Sequence, residues 1–152
     1  MDLDRTTTAL LNGLDAAYRR VMDSGWLLLG HELESFEAEY AASVGVAHCI
    51  GVANGLEALQ LVLLARGIGA GDEVIVPDLT FAATANTVIH AGAIPVLADV
   101  DMDSWTLDVN RCEELVSEKT KAVIPVHLYG QPCDMDKVIR FAEKYNLAII
   151  ED

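Results

Sequence analysis

The chain has 152 residues and a formal net charge of −14 with only 10 Lys and Arg, which disfavours a binder of nucleic-acid backbones, because that chemistry rests on cations neutralising phosphates. The length suits one domain, or part of one, with a proper core, and no stretch has the uninterrupted apolar length of a membrane span. The acidic start, Met1-Asp2-Leu3-Asp4, is unlike a secretory signal, and Cys49, Cys112 and Cys133 form no C-x-x-C pair, so a cytoplasmic protein with small, unpaired core cysteines is expected.

Leu10, Leu14, Ala17, Tyr18 and Val21 recur at helical spacing and predict an amphipathic helix from the Thr6-Thr7-Thr8 cluster to about Asp23, stopped by Gly25. Trp26-Leu27-Leu28-Leu29, bracketed by Gly25 and Gly30, reads as an apolar loop leaning on something. A second helix follows, with Leu33, Phe36, Tyr40 and Ala41 on its inner stripe, Glu32, Glu34, Glu37 and Glu39 outside it, and Gly45 just beyond its end. From Val46 the chain alternates short β-rich runs with helical ones. Strands are expected near Val46 to Val52, Glu73 to Pro77, Pro95 to Val100, Ala122 to His127 and Leu147 to Asp152. The stretch Cys49 to Ala65 predicts a buried strand turning at Asn54-Gly55 into a buried helix that ends at Gly67. Further helices are expected at Phe81 to Ala91 after a Thr80 cap, at Val109 to Val116 after Asp108, and at Met135 to Tyr145 after Asp134. Continuous apolar runs such as Val74-Ile75-Val76 imply strands covered on both faces, hence an α/β fold with a mainly parallel sheet.

Open α/β sheets bind ligands beyond the carboxyl ends of their strands. The residues placed there are Asn54-Gly55, Asp78-Leu79-Thr80-Phe81, Asp99 to Asp103, His127-Leu128-Tyr129-Gly130-Gln131 and Asp152. Gly55 allows a tight turn, and the helix behind it offers unpaired N–H groups and a positive dipole end, which suits a phosphate. Each residue also has a plainer reading: Asp78 and Thr80 as caps, Phe81 as core, His127 as a hydrogen-bonded histidine at a strand end. Three other motifs fail. Gly67, Gly69 and Gly71 lack the spacing and the preceding strand of a dinucleotide fingerprint. Asp99, Asp101 and Asp103 are followed by Ser104 and Asn110 where a calcium loop needs glycine and glutamate. His127, Cys133 and Asp134 match no metal-ligand spacing.

Several segments together resemble the N-terminal part of the DegT/DnrJ/StrS family, the pyridoxal-phosphate-dependent sugar aminotransferases. They are Gly25-Trp26-Leu27-Leu28-Leu29-Gly30, the Phe36-Glu37 helix, Asn54-Gly55-Leu56-Glu57-Ala58-Leu59 and Gly71-Asp72-Glu73-Val74-Ile75-Val76-Pro77. Thr80-Phe81-Ala82-Ala83-Thr84-Ala85-Asn86, Val126-His127-Leu128-Tyr129-Gly130-Gln131-Pro132 and Ile150-Glu151-Asp152 continue the pattern. The resemblance runs from about Gly25 to Asp152. It implies a three-layer α/β fold, a mainly parallel sheet flanked by helices, like the N-terminal part of the large domain of fold type I enzymes such as aspartate aminotransferase. Residues 1–30 would be an N-terminal helix and apolar loop, and 31–152 an incomplete cofactor-binding domain.

The same resemblance implies pyridoxal 5'-phosphate as cofactor. Asn54, Gly55 and Leu56 would hold its phosphate, Phe81 would stack on its ring and Asp152 would pair with the ring nitrogen. Leu56 stands where many relatives carry Thr or Ser, so a hydroxyl contact to phosphate is lost, although a subset similar to sugar 3-aminotransferases also reads Asn-Gly-Leu. The family's catalytic lysine lies after the strand that ends at Asp152, and Lys119, Lys121, Lys137 and Lys144 do not match it. The resemblance therefore implies the N-terminal portion of a homodimeric transaminase acting on a nucleotide-linked keto sugar in amino-sugar and polysaccharide biosynthesis, with glutamate as amino donor. The 152-residue chain alone is expected to be inactive. The alternative is a truncated binding or assembly module that keeps the fold without the lysine. The family fold also implies that the Val46 to Val52 strand is separated from the Asp152 strand by two later strands, leaving an exposed sheet edge.

Overall fold

A computed structural model describes residues 3–152, so Met1 and Asp2 of the acidic start lie outside the described residues. The chain forms two compact units, Met1–Gly51 and Val52–Asp152. No described helix is long and apolar enough to cross a membrane.

The first unit contains α1 (Leu3–Ser24) and α2 (His31–Val44). Gly25 and Gly45 follow the two helices with φ of 66° and 79°, the left-handed conformation that ends a helix cheaply only at glycine. The expected inner stripes are largely uncovered: Leu10, Leu14, Tyr18, Phe36 and Tyr40 are exposed, while Ala41 is buried. Trp26 to Leu29 is a loop, as expected, and it is exposed throughout. Glu37 does not simply face solvent, since its Oε1 accepts the Gly51 N–H at 2.7 Å.

No strand forms at Val46 to Val52, which corrects the expected first strand. A strand exists only where a ladder partner takes its N–H and C=O groups, and among the described residues this apolar segment has none.

The second unit is built on four parallel strands in the order β2-β1-β3-β4, namely β1 (Glu73–Pro77), β2 (Ile94–Ala98), β3 (Thr120–Val123) and β4 (Ala148–Ile149). Parallel neighbours need long crossovers, and helices supply them: α4 (Ala83–His90) after β1, α5 (Val109–Cys112) after β2 and α6 (Met135–Tyr145) after β3, while α3 (Gly55–Ala65) precedes β1. Side chains of a strand alternate between faces, so the central strand β1 divides the core in two. Val74 and Val76 pack with Leu59 and Leu63 of α3 and Val88 of α4. Ile75, on the other face, packs with Cys112 of α5 and with Val138, Phe141 and Ala142 of α6. This is the expected three-layer arrangement, with helices on both faces of a parallel sheet.

Several local expectations change. α3 is not buried all round, because Leu61, Val62 and Leu64 are exposed while Leu59 and Leu63 carry the packing. Thr80 caps no helix. α4 starts at Ala83, its N-cap position Ala82 makes no side-chain bond, and the Thr80 hydroxyl meets Thr84 instead. α5 is a single turn followed by a 3-10 turn at Glu113–Leu115. The β3 and β4 ladders are short as regular strands, but their bonding runs on towards the carboxyl edge: Ile150 N–H donates to Val123 O, and Asp152 N–H to Pro125 O. Pro125 has no N–H to return, which interrupts regular pairing there. Asp134 caps α6 as expected, accepting the Lys137 N–H at 3.1 Å, and Asn146 closes it at φ 53°.

Candidate functional site

A cavity of ≈ 500 Å³ opens beyond the carboxyl ends of the strands, and Asn54, Gly55, Leu56, Phe81 and Asp152 all line it. They come from three separate segments: Asn54 to Leu56 from the start of α3, Phe81 from the loop between β1 and α4, and Asp152 from the segment after β4. Asn54 sits in extended backbone at the start of α3, where its Oδ1 accepts the Glu57 N–H at 3.0 Å and its carbonyl accepts the Ala58 N–H. That leaves the Gly55 and Leu56 N–H groups at the positive end of the helix with no acceptor among the described residues. A side chain added at Gly55 would meet nothing within 4 Å, so this turn faces open space. Two free N–H groups at a helix start, facing a cavity, suit a phosphate.

Phe81 lies just before α4 and is 80% exposed as a residue, so an aromatic face is available to a planar guest. Asp152 follows β4, and its backbone is held on both sides: its N–H donates to Pro125 O at 3.0 Å and its carbonyl accepts the His127 N–H at 2.9 Å. Its Oδ2 accepts a 2.6 Å hydrogen bond from Thr84 Oγ1. Thr80, His127, Leu128 and Tyr129 complete the strand-end residues on the wall. Asp78, Leu79, Gly130 and Gln131 do not line it, and Asp101 faces a separate depression. The Asp101 carboxylate is engaged in its own turn, where the Ser104 and Asp103 N–H groups hold its pKa below the usual range.

The His127 ring is fully engaged. Its Nδ1 accepts the Cys133 N–H at 3.1 Å, so the proton sits on Nε2, which donates to Glu151 Oε2 at 3.0 Å. This is the plainer reading of His127, a hydrogen-bonded histidine bracing a strand end. Tyr129 is more unusual, with φ of 54° and 93% of the residue exposed at the wall of the cavity. Left-handed backbone at a tyrosine is strained, and such strain concentrates where a side chain must be aimed.

Sequence reasoning missed Thr84. A threonine inside an apolar helical run reads as core, and at 1% exposure it is core. No local pattern marks it, because its partner lies 68 positions away in the chain. Among the described residues no lysine lines the cavity. Lys137 pairs with Asp134, Lys144 with Glu113, and Lys121 donates to the Glu118 carbonyl. Cys112 and Cys133 are buried away from the cavity, and burial pushes the Cys112 thiol up to about 12, with nearby Asp108 adding to it.

The sequence profile of the DegT/DnrJ/EryC1/StrS aminotransferase family matches residues 12–152. The chain belongs to this family. The match begins earlier than Gly25, taking in most of α1. The chain is 44% identical, over all 152 of its residues and 42% of the relative's length, to a dTDP-3-amino-3,6-dideoxy-alpha-D-galactopyranose transaminase of Aneurinibacillus thermoaerophilus. Among solved structures it is similar to a DegT DnrJ EryC1 StrS aminotransferase from Brucella abortus, with a TM-score of 0.95 and 40% identity over 100% of this chain and 43% of that one. It is also similar to ntda from Bacillus subtilis, determined with bound cofactor PMP, with a TM-score of 0.87 and 34% identity over 93% of this chain and 32% of that one. The chain thus spans well under half the length of the family members it matches, and corresponds to their N-terminal part.

Proposed function

We propose that this chain is the N-terminal portion of a pyridoxal-5'-phosphate-dependent aminotransferase acting on a nucleotide-linked keto sugar in amino-sugar and polysaccharide biosynthesis. The observation that carries this reading is the convergence of two free N–H groups at a helix start, an exposed aromatic ring and a carboxylate on one cavity wall. The residues fit the cofactor: the Gly55 and Leu56 N–H groups, ordered by the Asn54 cap, hold the phosphate, Phe81 packs on the ring and excludes water, and Asp152 keeps a proton on the ring nitrogen. When bound, the cofactor supplies the electron sink that amino transfer needs. In this proposal glutamate donates the amino group, the working protein is a cytoplasmic homodimer, residues 1–30 form an N-terminal helix and apolar loop, and 31–152 form part of the cofactor-binding domain.

The second reading is a binding or assembly module that keeps the fold without the chemistry. Both readings meet one experiment. Pyridoxal phosphate is added to the purified chain, followed by borohydride, mass analysis and an assay of half-transamination. The proposal expects saturable noncovalent binding, no reduced adduct at a single lysine and no turnover. Without a positioned base, proton transfer alone loses roughly 10²–10⁴-fold. A stoichiometric adduct on one specific lysine with turnover would place the chemistry inside this chain. No binding at all would favour the module.

A further inference from the structure

The geometry points to Thr84 as a positioning residue for Asp152, fixing which carboxylate oxygen faces the cavity. The inference rests on the cofactor reading above. The Asp152 backbone is already pinned by its bonds to Pro125 and His127, so the remaining freedom is rotation of its own side chain. Thr84 removes it. Its hydroxyl lies 2.6 Å from Oδ2, a short bond of the kind made to an ionised acceptor, and the two residues are 68 positions apart in the chain. A threonine hydroxyl within a helix ordinarily bonds back to the carbonyl one turn earlier. Here it reaches across to the end of another element.

The hydroxyl inventory fixes the rest of the chain of bonds. Thr84 has one proton and gives it to Asp152, so in its 3.2 Å contact with Thr80 it is the acceptor and Thr80 donates. Thr84 is 1% exposed and β-branched, so its own rotamer is locked by packing. Among the described residues Asp152 Oδ1 accepts no hydrogen bond. The result is a carboxylate with one oxygen tethered by a rigid, buried donor and the other left for a cationic or N–H partner in the cavity, the demand that a protonated pyridine nitrogen makes.

The test compares the wild-type chain with Thr84→Val, which keeps the shape without the hydroxyl, and Thr84→Ser, which keeps the hydroxyl. Three readouts are taken: the ¹³C carboxyl resonance of Asp152 in the free chain, the affinity for pyridoxal phosphate, and the ¹⁵N shift of the bound ring nitrogen. Thr84→Val should move the Asp152 resonance, weaken binding by about tenfold and shift the ring nitrogen towards its unprotonated value. Thr84→Ser should restore all three. Where Thr84→Val does not fold, Thr80→Val at the half-buried end of the same bond chain should move the Asp152 resonance in the same direction by less. A wild-type chain that binds, with variants indistinguishable from it in resonance and ring-nitrogen shift, overturns the positioning role and leaves the cofactor reading standing. A wild-type chain that does not bind overturns the cofactor reading and reduces the Thr84–Asp152 bond to a buckle of the fold.

Discussion

Asn54 does two jobs with one side chain. By accepting the Glu57 N–H it starts α3, and by tying up that donor it leaves the two preceding N–H groups pointing at the cavity. Replacing such a cap by alanine costs about 1 kcal/mol of stability. Asn54→Ala should therefore lower the denaturant midpoint modestly and weaken pyridoxal phosphate binding by more than the stability loss explains, while Asn54→Asp keeps the cap but repels the phosphate. Equal binding by all three, measured by fluorescence titration, would remove the α3 start from the site. At this scale the sequence was legible where a residue's job is local. Asn54-Gly55 announces a helix start, and Phe81 and Asp152 stand within a few residues of the ends of the apolar runs Val74-Ile75-Val76 and Ala148-Ile149-Ile150. Thr84 was illegible because its role lies in a bond to a residue 68 positions away, which no local pattern encodes.

Legibility of elements follows the same physics. β1 appears at the predicted Glu73–Pro77 because it is central and apolar on both faces, so burial alone selects it. The Val46 to Val52 run also carries β-branched residues and forms no strand, because strand identity also requires a partner ladder. α6 matches its predicted bounds since its Asp134 cap, apolar stripe and Asn146 stop agree. That cap carries a pH dependence with a definite sign. The Lys137 side chain, and then the Lys137 N–H, hold the Asp134 carboxyl below its usual range. A carboxyl depressed in the folded state contributes stability that is present above its unfolded pKa, near about 4, and is lost as pH falls through the lower folded value. Below that window the first turn of α6 should fray, read as faster amide exchange at Met135 to Lys137. Asp134→Asn should flatten this dependence, because an amide oxygen caps without titrating.

At the scale of the whole molecule, the sheet formed by the described residues closes on neither side. β2 and β4 are its edges, and β4 continues in ladder form to Asp152, directly beside the cavity. Strand alternation assigns the Ile150 and Asp152 N–H groups to β3, which places those of Ile149 and Glu151 on the open side. Amide exchange should therefore be slow at Ile150 and Asp152 and fast at Ile149 and Glu151. As protein concentration rises, the fast pair should become protected if the edge recruits another strand, the usual fate of an open edge. Uniform protection across the four amides at low concentration would show that the edge is already covered.

The distribution of the three thiols has a practical consequence for anyone following this chain in solution. Cys49 is half-buried in the first unit, whereas Cys112 and Cys133 are sealed in the second, with Cys112 held protonated far above neutral pH. Alkylation at Cys49 runs on the clock of the first unit, and alkylation at Cys112 can advance only through opening of the layer between sheet and helices. The chain thus carries its own pair of built-in timers, one for each unit, readable by peptide mass without any added label.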